Sequence, residues 1–308
     1  MNLVTRINRA IKRLTGLHER IVRIQQALGR IEARQTAEAA TLGQGEFRVF
    51  SQWGEDGIIQ HLIRKVPIPR RVFVEFGVEN YLESNTRFLL TNDQWAGLVM
   101  DGDAKNIAFI KEDPIYWEAN LKAQCAFVTR ENINNLLLEN GIKGDIGLLS
   151  VDVDGNDYWI WSAIEAISPR IVICEYNTLW GPRETVTVPY DAGFDRGKAH
   201  FSKVYFGASL AALDLLARTK GYALVGSNAA GGNAFFVRND VRGSLEPLEP
   251  AAAYREPAFR EAHDEQGRLT FEDPVTRLRP MADLTLQDVR TGSVRRIADI
   301  YDSDPRIG

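Results

Sequence analysis

Cysteine is scarce. The 308 residues hold two, Cys125 and Cys174, both in apolar runs. That excludes a disulfide framework and a thiolate metal cluster, and fits small buried side chains in a reducing compartment. Positive charge is not in excess either: the formal net charge is −4, so no global basic field invites nucleic acid. No apolar run approaches the length of a membrane span, and the N-terminus lacks the uninterrupted apolar core of a signal peptide. The expected address is the cytoplasm, with peripheral contact at the inner membrane face as the alternative. The hydrophobic share of 44% and charged share of 25% are ordinary for a globular chain able to bury a large core.

The chain is organised around Arg71 to Tyr81. Val72 to Phe76 is a short apolar run, the pattern of a strand buried on both faces, and it carries Glu75 and runs into Gly77. A helical stretch, Ser84 to Leu90, follows, then a second apolar run, Gly97 to Met100, ending in Asp101. Strand, glycine turn, helix, strand, acid is the order of a nucleotide-binding βαβ unit. Only Gly77 of the three dinucleotide-fingerprint glycines is present, with Glu79 and Tyr81 near the others' places. An acid there repels a pyrophosphate, so a ligand with a ribose and no phosphate fits better. An ordinary βαβ turn is the alternative.

Residues 1–35 stand apart. Val4, Ile7, Ile11, Leu14, Leu17, Ile21, Ile24, Leu28 and Ile31 recur at spacings of three and four, one face of a long amphipathic helix. The step of three from Leu14 to Leu17 shifts the seam like a stammer. Eight basic residues against Glu19 and Glu32 give the segment +6 and leave −10 for the remainder. A homo-oligomeric coiled coil is expected, with an anionic membrane surface as the rival partner. Residues 36–46 read as a linker, 47–242 as the main domain, and 243–308 as an extension without clear periodicity.

Within the domain, Ser51-Gln52-Trp53-Gly54-Glu55-Asp56-Gly57 precedes a helix from Ile58 to Lys65 and holds more polar groups than a helix cap requires. Beyond Asp101 strands and helices alternate: strands at Ala123–Val128, Asp145–Val153 and Ile171–Cys174, with helices between. That predicts a parallel sheet with both faces covered. Residues 178–206 break the rhythm with aromatic and polar side chains together, a connection long enough to be functional. Helix Ser209–Thr219 follows. Strands Tyr222–Ser227 and Asn233–Val237, joined by Asn-Ala-Ala-Gly-Gly, form a closing hairpin, so the last strand is antiparallel. In such a sheet ligands sit at the carboxyl ends of the strands. Those ends bring Glu75/Gly77, Asp101, Asp152/Asp154 and Glu175/Asn177 to one rim, although Asp154 and Asn156 also suit a plain helix cap.

These blocks resemble the FkbM-type family of S-adenosylmethionine (SAM)-dependent methyltransferases. Ser51-Gln-Trp-Gly-Glu-Asp-Gly, Glu75-Phe-Gly-Val-Glu, Val151-Asp-Val-Asp-Gly-Asn-Asp, Glu175-Tyr-Asn, Tyr205-Phe-Gly-Ala-Ser-Leu and Asn233-Ala-Phe-Phe-Val-Arg carry the likeness over about residues 48–240. The family's commoner form has a glycine-richer first turn, and Glu where Asp154 stands. The resemblance implies a Rossmann-like α/β fold with the seven-stranded class I methyltransferase sheet. It also implies SAM as cofactor and methyl transfer to a hydroxyl, on a sugar, a cell-surface glycan or a related secondary metabolite. Expected cofactor contacts are Gln52, Glu55, Asp56, Glu75, Gly77, Asn80, Asp101 and Asp152. Catalysis falls to His200 as general base or to Asp154. Asp152, Asp154, Glu175 and Asn177 resemble the oxygen-rich Mg²⁺ site of catechol-type methyltransferases. A non-catalytic scaffold working through its N-terminal helix, and a nicotinamide-dependent oxidoreductase, are the rival readings.

Overall fold

The computed structural model describes residues 3–257 and 260–301; for residues 3–15, His18 and Val275 it describes the backbone alone. Seven strands form one sheet: β1 (Val72–Phe76), β2 (Ala96–Asp101), β3 (Leu121–Cys125), β4 (Gly144–Val151), β5 (Ile167–Glu175), β7 (Tyr222–Ser227) and β8 (Asn233–Arg238). Their order is β3-β2-β1-β4-β5-β8-β7. β8 slides between β5 and β7 and pairs antiparallel with both, while the pairs from β3 to β5 are parallel. This is the Rossmann-like, seven-stranded plan of the class I methyltransferases, with the antiparallel final strand expected from the hairpin.

Period-2 alternation sends side chains to two cores. Val74, Phe76, Leu98, Met100, Leu149 and Val172 face one, against helices α7 (Ile133–Glu139), α8 (Asp157–Ala163) and α10 (Leu210–Thr219). Phe73, Val99, Leu148, Ile171 and Phe235 face the other, against α3 (Glu55–Lys65), α4 (Arg87–Asp93) and α5 (Ala104–Glu112). Pro169 is tolerated inside β5 because β8 pairs only from Ile171 onward.

Several boundaries differ from expectation: β5 begins at Ile167 instead of Ile171, and α4 runs Arg87–Asp93 instead of Ser84–Leu90. The apolar run Ala123–Val128 does not stay in the sheet: β3 ends at Cys125, opposite Asp101 where β2 also ends, and Ala126, Phe127 and Val128 peel away. The C-terminal region is not a loose appendage. A second, three-stranded sheet joins β6 (Val186–Thr187), from the long connection, to β9 (Thr285–Asp288) and β10 (Val294–Arg296). Trp180, Val188, Tyr205, Leu278, Met281, Leu286 and Ile297 form its core.

The N-terminal helix α1 runs Leu3–Gln35. The seam residues Val4, Ile7, Ile11 and Leu14 fall outside the residues whose side chains are described. From Leu17 on, α1 has two distinct faces. Val22, Gly29 and Ala33 turn inward onto Phe47, Val49, Phe50 and Phe88, and Arg64 donates a hydrogen bond to the Ala33 carbonyl. Leu17, Ile21, Ile24, Leu28 and Ile31 turn outward and stay 48–58% exposed. Residues 36–46, expected as a linker, include α2 (Leu42–Gly45), whose Gly45 is buried against His61.

The inward face depends on Gly29. A Cβ there would stand 2.4 Å from Val49 Cγ2 and 3.0 Å from the Phe88 ring, whereas one at Gly16 meets nothing within 4 Å. Gly29→Leu should therefore destabilise by about 1–3 kcal/mol through overpacking, read as a lowered Tm. Gly16→Ala should leave Tm unchanged or raise it, by up to ~1 kcal/mol of helix propensity.

Candidate active site

The carboxyl rim of the sheet carries two cavities that meet. The first, about 470 Å³, is lined by Gly77, Asp101, Asp103, Phe127, Val128 and Asn156, among others. The second, about 330 Å³, is lined by Gln52, Glu75, Asn85, Glu175, Arg196, Asn233 and Glu261, among others. Gly77, Glu79, Asp152 and Asp154 border both. A smaller lobe of about 110 Å³ adds Trp53 and Phe206. Asp152 lines all three spaces.

Gly77 makes this junction possible. Its φ is +69°, and a Cβ on it would lie 1.7 Å from the Asp152 carbonyl oxygen. The turn beyond it stays left-handed at Glu79 and Tyr81 (φ 46° and 63°), an arrangement that costs non-glycine residues and is held by side chains. Asp101 Oδ2 accepts from the Glu79 N–H at 2.9 Å; its Oδ1 accepts from Asp103 N–H at 2.8 Å and Asn106 Nδ2 at 3.0 Å. A carboxylate has about four lone-pair sites, so Asp101 keeps one open, on Oδ2, toward the first cavity.

Glu75 is buried and fully engaged. Its Oε1 accepts from Asn85 N–H at 2.9 Å, and its Oε2 from Ser84 Oγ at 3.0 Å, from Thr86 N–H at 3.2 Å and from the Thr86 hydroxyl. Burial nevertheless pushes its pKa up, against those hydrogen bonds. Glu75 thus fixes the approach to α4 as well as bordering the second cavity. Asp157 plays the same part for the turn after β4: it accepts from Val153 N–H at 2.8 Å and Gly155 N–H at 3.0 Å, and burial raises its pKa to about 7. That turn holds Asp154 at φ 55°.

The segment around Trp53 divides by role. Gln52 lines the second cavity. Glu55 lies beneath it and orients its wall: Oε1 accepts from Asn233 Nδ2 at 2.9 Å and Asn228 Nδ2 at 2.7 Å, and Oε2 accepts from Trp53 N–H at 2.9 Å. Asp56 lines neither cavity. Its Oδ2 gathers the N–H groups of Val49, Phe50 and Ser51, each at 2.7 Å, and the Ser51 hydroxyl at 2.8 Å, so Asp56 is a loop staple rather than a ligand group. Asn80 is likewise turned to its own turn, accepting from Leu82 N–H at 3.0 Å.

Two further expectations need correction. Asn177 does not join the carboxylates, because its amide donates to the Val204 and Phe206 carbonyls at 2.9 and 3.0 Å and accepts from Leu179 N–H at 3.0 Å. It ties down the long connection instead. His200 borders none of the three spaces. Its Nδ1 shares a hydrogen bond with Ser202 Oγ at 2.7 Å, its ring lies against Phe201, and burial lowers its pKa.

Two residues outside the expected set take their place. Asn233 faces Glu175 across the β5–β8 pair, and its Oδ1 is buried without a partner, as is Glu175 Oε2. Arg196, from helix α9 (Arg196–Ala199), extends into the second cavity and pairs with Asp154 at 2.8 Å. Oxygens of Asp152, Asp154 and Glu175 lie within 4.8 Å of one another. Burial first, and then neighbouring carboxylates, raise Asp152 and Glu175 well above the ordinary carboxylate range. The spacing suits a hard cation, yet the expected fourth ligand, Asn177, is committed elsewhere and Asp154 already holds a guanidinium. As arranged, the donor set does not fit Mg²⁺.

The first cavity does fit a nucleoside. It offers an open carboxylate lone pair at Asp101, the exposed Phe127 ring beside Val128, a close backbone approach at Gly77, and the buried, unpartnered Oδ1 of Asn156.

No family model matches the chain, and no curated protein matches it. Solved structures do. M. capricolum TrmK in complex with S-adenosyl-homocysteine (SAH) shares 12% identity over 68% of this chain and 77% of that one, with a TM-score of 0.37. PKMT2 from Rickettsia typhi with AdoHcy shares 10% over 64% and 55%, at 0.42. The N-terminal domain of EvdMO1 with SAH shares 11% over 68% and 94%, at 0.40. At these scores the likenesses carry no argument; the strand order assigns the fold.

Gly77→Ala should be among the most damaging single changes at the rim. The left-handed φ costs an alanine about 1–2 kcal/mol, and the overlap with the Asp152 carbonyl forces two strand ends apart. A lowered Tm together with loss of ligand binding in the first cavity checks it. A second test uses pH. Burial raises Asp56 to about 6, above its unfolded value of about 4. The native state therefore binds the extra proton, and this group's stabilisation is complete below about pH 4 and lost as pH rises through about 6. Asp56→Asn should show a smaller fall in Tm than the wild type over that interval.

Proposed function

We propose that this chain is a SAM-dependent O-methyltransferase whose acceptor is a hydroxyl on a sugar, a cell-surface glycan or a related small molecule. One observation carries the reading: a cavity lined by Asp101 and the Phe127 ring and a polar, acid-rich cavity share the borders Gly77, Asp152 and Asp154. Asp101 would take a ribose hydroxyl on its remaining lone pair, and Phe127 would cover a flat base. Bound there, SAM supplies an electrophilic methyl group on a sulfonium. The second cavity suits an acceptor rich in hydroxyl donors. Asn233 Oδ1 and Glu175 Oε2 offer buried acceptors, and Trp53 gives the smaller lobe an apolar wall.

The acceptor's proton needs a base. Asp152 is the best placed, since it borders both cavities and the smaller lobe, and burial raises its affinity for a proton. Holding donor and acceptor in line supplies the rest of the rate. Incubating the purified chain with labelled SAM and cell-envelope glycan fractions would identify the acceptor. Asp101→Ala should weaken SAM binding at least tenfold, the loss of one charge-assisted hydrogen bond of ~1.5–3 kcal/mol; unaltered binding places the cofactor wrongly. Asp152→Asn should bind SAM normally and lose about 10²-fold or more in turnover.

The outward face of α1 favours a second copy as partner. Leu17, Ile21, Ile24, Leu28 and Ile31 alternate by four and three, the narrow seam of a coiled coil. Arg20 and Arg34 flank one side and Gln25 and Glu32 the other, so parallel copies set unlike flanks together. Among the described residues no helix is long and apolar enough to cross a membrane. Ile24→Asp with Leu28→Asp should turn an oligomer into a monomer that still binds SAM, by light scattering. An unchanged oligomer sinks this reading, and a monomeric wild type that floats with anionic liposomes supports the membrane one.

A further inference from the structure

The three rim carboxylates already have a cation. Arg196 is held on every side: Nη1 pairs with Asp154 Oδ1 at 2.8 Å, Nη2 with Glu261 Oε2 at 3.3 Å, Nε donates to the Lys203 carbonyl, and the guanidinium lies 4.2 Å over the Phe206 ring. Among the described residues it is the one cationic side chain lining the second cavity. Its anchors come from three separate regions, namely the turn after β4, the long connection and the C-terminal region. A long side chain gripped this way is built into the site rather than swept across it by chance. Arginine also keeps its charge at every relevant pH and presents donors in a planar fork, so it neutralises Asp154 permanently. A divalent ion among Asp152, Asp154 and Glu175 would need Asp154's oxygens and would face the guanidinium at close range.

We propose that Arg196 takes the place of a divalent metal in this active site. Charge balance at the rim is supplied by the chain itself, acceptor binding needs no ion, and a metal site exists there only in latent form, opened when Arg196 is removed. The proposal rests on reading the second cavity as the acceptor side. It also gives Glu261 a purpose: the C-terminal region holds the guanidinium's other terminal nitrogen, so the extension completes the site.

Manganese binding by the full chain, followed by electron paramagnetic resonance of the free ion, tests this without relying on turnover. At about 1 mM ion, the range of weak divalent sites, the wild type and Arg196→Lys should leave the free signal unchanged. Arg196→Gln should bind manganese at least tenfold more tightly, and adding Asp154→Asn to it should abolish that binding. Wild-type binding that Asp154→Asn removes would overturn the proposal. So would a folded Arg196→Gln, judged by its melting curve, that gains nothing. If Arg196→Gln fails to fold, the wild-type titration and its Asp154→Asn counterpart still decide. SAM calorimetry on the same samples separates the two readings. Absent SAM binding sinks the transferase assignment and leaves the ion result standing, whereas wild-type manganese binding sinks the role of Arg196 and leaves the cofactor reading intact.

Discussion

The approach of Gly77 to the carbonyl of Asp152 is the constraint on which the rest of the rim depends. Two parallel strands end side by side, and the first must turn away without a side chain because the second's backbone occupies that space. The contact fixes the distance between the turn after β1 and the turn after β4. The residues that border both cavities are hung from those two turns: Gly77 and Glu79 on one side, Asp152 and Asp154 on the other. The strain of the left-handed residues is offset by carboxylates that collect backbone N–H groups, Asp101 for the first turn and Asp157 for the second.

Buried acid is the recurrent material of this fold. Glu55, Asp56, Glu75 and Asp157 each lie inside the protein and hold loops by accepting several donors. Hydrogen bonds to an ionised acceptor are among the stronger ones, and burial exacts a cost that appears as raised pKa values for Asp56, Glu75 and Asp157. Asp152 and Glu175 differ in kind. No backbone donor is a main influence on either, and their charge is relieved by Arg196 alone among the principal neighbours. The same residue type thus serves as structural staple where N–H groups converge and as cavity wall where they do not.

Periodicity made the frame legible. Val72–Phe76 and Tyr222–Ser227 read from the sequence at their observed bounds, because apolar runs closed by glycine or polar residues leave little choice. The acids at strand ends were equally visible. Their division of labour was not, since it depends on which groups stand nearby in space. Asp56 and Gln52 share one motif, yet one points into a nest of amides and the other into a cavity. Asn177 and Asn233 are both asparagines beside Glu175, one by sequence and one across strands, and only the insertion of β8 decides which borders the cavity. His200 attracts attention by its chemistry but sits on the far side of its loop. Arg196 carries no local signal at all; its role arises from Asp154, Phe206 and Glu261 meeting around it.

The position of β8 has a consequence for biosynthesis. Apart from Phe194, the first cavity is built from residues 77–156, and the strands that carry it, β1 to β4, all lie within residues 72–151. The second cavity waits for Glu55 to reach Asn233, 178 residues later, and for Glu261 to reach Arg196. Contacts of such separation close late, after the loop-closure entropy has been met. A chain emerging from the ribosome would thus assemble the first cavity early and leave the second incomplete until β8 wedges between its neighbours, so the joined rim arrives with the final act of folding.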